Sequence, residues 1–131
     1  SYTAYLNESI LSLVIKATLK EGDNAQRVIV KAYTYNISTN QEVSLKDMIN
    51  IKGLDSNKVE NEIKKTVEDA INYSEHLSSL GYESYKRNLK NDMYSIENSN
   101  NYFLGPNGSI YIIYAYGNMN FTTEKDIVYI K

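Results

Sequence analysis

Cysteine is absent from the 131-residue chain, which removes disulfides, thiolate nucleophiles and cysteine-ligated zinc together. A single histidine, His76, removes metal sites built from several imidazoles. No stretch reaches the roughly eighteen apolar residues that a membrane-crossing helix needs. Ser1 to Tyr5 lack the basic and then apolar pattern of a signal peptide, and a start at Ser1 in place of Met suggests a soluble piece of a larger protein. Nor is there an excess of either charge. Fourteen basic and sixteen acidic side chains give a formal charge of −2. That balance offers no general attraction to phosphate backbones or anionic lipid, so neither nucleic acid nor a membrane surface is expected as a partner.

What is present is a globular composition, 42% hydrophobic and 23% charged, in a length typical of one domain. Tyrosine dominates the aromatics, with thirteen against two phenylalanines and no tryptophan, and asparagine occurs sixteen times. AT-rich coding favours this bias and points to a low-GC Gram-positive source. Tyrosine, an apolar ring with a polar tip, suits half-exposed strands and binding surfaces.

Alternation marks a half-buried strand from Glu8 to Lys20, with Leu11, Leu13, Ile15, Ala17 and Leu19 on the apolar side. Glu21–Asn24 is a turn, and Gln26–Ile37 a second, central strand forming a hairpin with the first. Ser44 is placed to cap a helical turn that buries Leu45, Met48 and Ile49, and Gly53 breaks it. A long helix follows from Asp55, capped by Ser56 or Asn57. Its apolar face carries Val59, Ile63, Val67, Ala70, Ile71 and Leu77, and it ends at Leu80-Gly81. Tyr82 to Tyr94 has the spacing of a weaker helix. Gly105-Pro106-Asn107-Gly108 is a hairpin turn, Ser109–Tyr116 a strand, and Asp126–Ile130 the last strand. The order implies an α+β class: an antiparallel β-sheet of about four to five strands with a long helix packed on one face.

This order of pieces resembles the extracellular domain family of RsiV-type anti-sigma factors, also found in exported peptidoglycan deacetylases. Asn7-Glu8-Ser9-Ile10-Leu11-Ser12-Leu13 is similar to the opening strand of that family, and Tyr35 to Ile49, containing Ser44-Leu45-Lys46-Asp47, to its second motif. Lys58–Ser74 matches its helix and Asn101–Ile112 its closing hairpin. The resemblance runs from about Tyr5 to Ile130. Gly22-Asp23-Asn24-Ala25 stands where many members have Gly-Gly-Ala-His, and the family's N-terminal half is not in the chain. The resemblance implies an extracytoplasmic domain, membrane-anchored through a segment outside this chain, that recognises lysozyme or another protein or cell-wall ligand.

His76, near a helix C-terminus, suits the helix dipole. A Ser–His–Asp set through Ser84 or Ser95 lacks a nucleophile elbow. Glu60/Glu62 and Glu68/Asp69 splay around their helix, whereas a glycosidase pair must converge. Asp23-Asn24 and Asp55-Ser56-Asn57 match no calcium loop, and Gly105–Gly108 lacks the Lys-Ser/Thr of a phosphate loop. No catalytic residue, metal or cofactor is therefore expected. The candidate contact residues are Tyr111, Tyr116 and Phe121. Tyr116 shares a face with Ile110, Ile112 and Tyr114, whereas Tyr111 points the other way and serves as an anchor if that second face is open; loops Glu21–Gln26 and Leu80–Asn101 would add contacts. The alternatives are an accessory cell-wall-modifying enzyme, in which His76 meets two carboxylates or a serine, and a structural spacer of an exported protein.

Overall fold

Glu8 takes a left-handed backbone (φ 54) in the two-residue turn that folds β1 (Tyr2–Asn7) back on β2 (Ile10–Leu19). The computed structural model describes residues 1–20, 22–23, 27–82, 86–116 and 124–131; of Arg27, Tyr116 and Glu124 it describes the backbone. β2 pairs with β3 (Arg27–Asn36), and Asn40 (φ 59) turns the chain into β4 (Gln41–Glu42). The sheet order is β1-β2-β3-β4, antiparallel throughout. A second antiparallel sheet runs β5 (Tyr102–Leu104), β6 (Ile110–Tyr116), β7 (Glu124–Ile130). The α+β class stands, with the strands divided over two sheets.

In chain order, α1 (Leu45–Ile51) and the 24-residue α2 (Ser56–Ser79) come between the strands of the two sheets. Ser44 caps α1 as its position implies, its Oγ accepting from Asp47 N at 3.1 Å, and Leu45, Met48 and Ile49 are buried. α2 is capped by Asp55, whose Oδ1 accepts from Asn57 N at 2.9 Å, one residue before the expected Ser56 and two before Asn57. Asp can cap as well as Ser or Asn, and Leu54 leads straight into the first turn. At the other end Tyr82 N donates to Leu77 O and Gly81 N to Ser78 O. These are the paired bonds of a Schellman cap, with Gly81 at φ 91. Val59, Ile63 and Val67 enter the core, while Ala70, Ile71 and Leu77 are half-buried. Val59, Ile63 and Val67, with Ile71 packed against them, share one core cluster with Ile110, Ile112, Tyr114, Val128 and Ile130 of the second sheet.

Three expectations are corrected. β1 is a separate strand where the alternation had one strand from Glu8: it buries little, so it leaves little pattern. Residues 83–85 of the expected second helix lie outside the described ones, and from Lys86 to Asn91 the chain is not helical. Only single 3-10 turns, Asp92–Tyr94 and Ile96–Asn98, follow. There Asn88 Oδ1 accepts from Lys90 N and Asn91 Oδ1 from Met93 N, side-chain bonds that compete with a helix.

The third correction concerns which side of β2 is inside. The buried side carries Ile10 and Ser12, whereas Leu11 and Leu13 are half-buried and Ile15 is exposed on the outer face. The reason lies in β5. Its far edge from β6 abuts β2 and β3, and an edge strand presents unpaired N–H and C=O groups that cannot be buried against leucine. Ser12 Oγ accepts from Leu104 N at 3.0 Å, Thr34 Oγ1 donates to Tyr102 O at 2.9 Å, and the two hydroxyls are 3.3 Å apart. Thr34 spends its proton on Tyr102, so Ser12 donates to Thr34 and every group in the chain is satisfied. Asn101 extends the seam, its Oδ1 accepting from Ala32 N at 2.7 Å and its Nδ2 donating to Val30 O at 3.2 Å. Ser12→Ala is therefore expected to cost about 1–3 kcal/mol by leaving the buried Leu104 N–H without an acceptor. Urea unfolding followed by far-UV circular dichroism measures it; a loss below a few tenths of a kcal/mol would show the seam to be dispensable.

Candidate functional site

On the side of the second sheet away from the helices, the register aligns Phe103 with Tyr111 and Tyr111 with Tyr129. Phe103 and Tyr111 stack at 4.9 Å between centroids and 8° between planes, and Tyr129 meets Tyr111 at 5.1 Å and 51°. Tyr5, reaching in from β1, stacks on Phe103 at 5.8 Å and 12°. The four rings form a ladder across strands of both sheets. Aromatic neighbours of this kind hold one another in place, with a stabilisation of about 0.5–1.5 kcal/mol per pair beyond burial.

Gly105 is part of this construction. A Cβ there would sit 2.8 Å from Cε2 of Tyr111. That ring cannot swing aside freely, because Phe103 and Tyr129 flank it. The ladder's open end is apolar: Tyr129 is 47% exposed and Ile127, next along β7, 50%. Tyr129 OH lies 3.2 Å from Ser109 Oγ. Tyr129 also lines a groove of about 380 Å³ with Leu54, Lys58, Val59, Glu62 and Ile130. A second groove, of about 390 Å³, lies on the first sheet among Lys31, Thr34, Glu42, Ser44, Asp47 and Asn100.

Of the predicted contact residues, Tyr111 is the centre of the ladder. Tyr116 belongs to β6, but its side chain, like all of Phe121, lies outside the described residues. Tyr114 is buried on the core face, where its hydroxyl is 2.6 Å from Ser99 Oγ. The sequence reading missed Tyr5, Phe103 and Tyr129. Alternation places Tyr129 on one face of its strand, but only the pairing register sets it beside Tyr111.

The chemistry-bearing residues take other positions. His76 is exposed in the last turn of α2, its carbonyl accepting from Ser79 Oγ. Ser84 is outside the described residues. Ser95 is engaged locally, accepting from Asn98 Nδ2 at its Oγ and from Ser99 Oγ at its carbonyl. Glu62, Glu68 and Asp69 are exposed, and Glu60 pairs with Lys64 at 3.3 Å. The Asp126 carboxylate is mostly buried, its side chain 10% exposed, and gripped by Arg87 at 2.6 Å. Of the contact loops, Glu21 and residues 24–26 are outside the described residues, whereas 86–101 is fastened to the core by Arg87, Asn100 and Asn101.

Compared with protein-family models, curated proteins and solved structures, the chain matches none.

Proposed function

We propose that this chain is a docking domain without catalysis of its own, the extracytoplasmic recognition part of a Gram-positive membrane-anchored protein of the RsiV-like kind. Its ligand in this reading is lysozyme or another cell-wall-associated partner, and the binding surface is the open end of the aromatic ladder. The observation that carries the reading is the ladder itself. Tyr129 and Ile127 are presented to solvent on β7, with Tyr111, Phe103 and Tyr5 stacked in turn behind Tyr129. Pre-set aromatic anchors lose little freedom on binding, which is why tyrosine is enriched among residues that dominate interfaces. The resemblance supplies the ligand class, and the exposed position of His76 favours docking over hydrolysis.

The test is a titration of isotope-labelled protein with lysozyme and, separately, with soluble peptidoglycan fragments. One of the two is expected to shift the amide resonances of Phe103, Tyr111, Ile127 and Tyr129. Tyr129→Ala is expected to weaken that complex by about tenfold or more. Failure of both ligands to move these resonances would remove the proposal, and hydrolysis of the fragments by the chain would replace it with the enzyme reading.

A further inference from the structure

We infer that the chain associates with a second copy of itself through the free edge of β1, the two first sheets joining antiparallel about a twofold axis at Ala4. Among the described residues β1 pairs with β2 alone, and no described strand covers its other side. The bonding parity of that side follows from the pair at its start. Ser1 N donates to Lys16 O at 3.0 Å and Lys16 N to Ser1 O at 2.9 Å. In an antiparallel ladder the bonded residues alternate, so Thr3, Tyr5 and Asn7 also spend their backbone groups on β2. Tyr2, Ala4 and Leu6 then point N–H and C=O outward.

Those three residues are self-complementary. Setting Ala4 against Ala4 of the second copy places Tyr2 opposite Leu6 and Leu6 opposite Tyr2, with every opposed pair able to exchange two backbone bonds. The small Ala4 leaves the axis uncrowded. On either side of it the 74%-exposed Tyr2 meets the 63%-exposed Leu6, an aromatic–aliphatic cross-strand pair. Both lie on the outer face of the sheet, in register with Ile15 and Leu11, so the joined sheets carry one apolar surface across the axis.

Charge selects the occupant. Edges are normally guarded by Lys, Glu, Pro or a bulge, and Tyr2 to Asn7 contains no charged residue and no proline. An acidic or basic peptide finds no counter-charge there, whereas two copies bring no like charges together. This surface is distinct from the exposed Tyr129 end of the ladder, so either can fail without the other.

Sedimentation velocity of the chain across a hundredfold concentration range tests the inference. The mass is expected to rise from 15.0 kDa toward twice that value. At high concentration the amides of Tyr2, Ala4 and Leu6 are expected to gain protection from hydrogen exchange. Ala4→Lys would place two ammonium groups at the axis, and Ala4→Pro would delete an outward N–H while sparing the bonds to β2. Each is expected to weaken association by at least about tenfold with an unchanged circular-dichroism spectrum. A mass fixed at the monomer, association that survives both variants, or edge amides that stay unprotected in the associated state would each overturn it.

Discussion

Arg87→Ala is expected to lower the unfolding free energy by about 3–5 kcal/mol, the largest loss among single substitutions outside the apolar core. Arg87 Nε lies 2.6 Å from Asp126 Oδ2 and Nη2 3.0 Å from Oδ1, a two-pronged pair. Nη1 reaches Ser74 Oγ at 2.8 Å and Ala70 O at 3.5 Å. The side chains are only 4% and 10% exposed, so little solvent screening softens the loss. The guanidinium ties three pieces together: the last turns of α2, the loop that follows, and β7. Alanine would leave a carboxylate in a site from which water is largely excluded, and that stranded charge, more than the lost attraction, sets the size of the effect. The comparison that separates the two is the pair variant Arg87→Met/Asp126→Leu. It is expected to recover more than half of the loss, because an apolar pair replaces a costly desolvated one. Urea melts by circular dichroism give both values. A loss under 1 kcal/mol for the single variant would mean that Asp126 relaxes to solvent and that the tie is not structural.

Alkaline pH should unfold the protein early, through two buried phenols. Burial pushes the Tyr114 phenol up to about 12, the neighbouring Ser99 hydroxyl offsetting part of the effect. Burial also drives Tyr102 above the ordinary phenol range; its hydroxyl donates to Val43 O at 2.7 Å. In the unfolded chain both titrate near 10. The unfolded state therefore loses these protons first, and stability is fully present below about pH 10 and falls as pH rises through the folded values. Each phenol contributes a slope of about 1.4 kcal/mol per pH unit. Together they remove roughly 5 kcal/mol by pH 12, comparable to the whole stability of a small domain. Urea melts between pH 9 and pH 11.5 should show this fall, and Tyr114→Phe should reduce its slope by about half. A flat profile over that window would show that the phenols ionise without unfolding the core.

Much of the local structure was legible because it rests on short-range chemistry. The Ser44 cap, the Gly81 terminus, the apolar stripe Val59-Ile63-Val67 and the Gly105–Gly108 turn each satisfy a steric or bonding demand within a few residues. The α+β class follows from their order. Of the ring ladder, the sequence singled out Tyr111 alone. Tyr5, Phe103 and Tyr129 come from three other strands, and nothing local to any of them indicates which ring it will meet.

What the sequence determined by itself is therefore the set of elements and the kinds of chemistry it leaves available, with one exposed histidine and many tyrosines. What only tertiary structure decided is which face of a strand is inside. Alternation separates the Leu11/Leu13 side of β2 from the Ser12 side but weighs them by hydrophobicity alone. The fold instead buries Ser12 and Thr34 and turns the leucines outward. The edge of β5 arrives there with an N–H and a C=O in need of partners, and an unmet backbone bond costs more in a core than a half-buried leucine does on a surface.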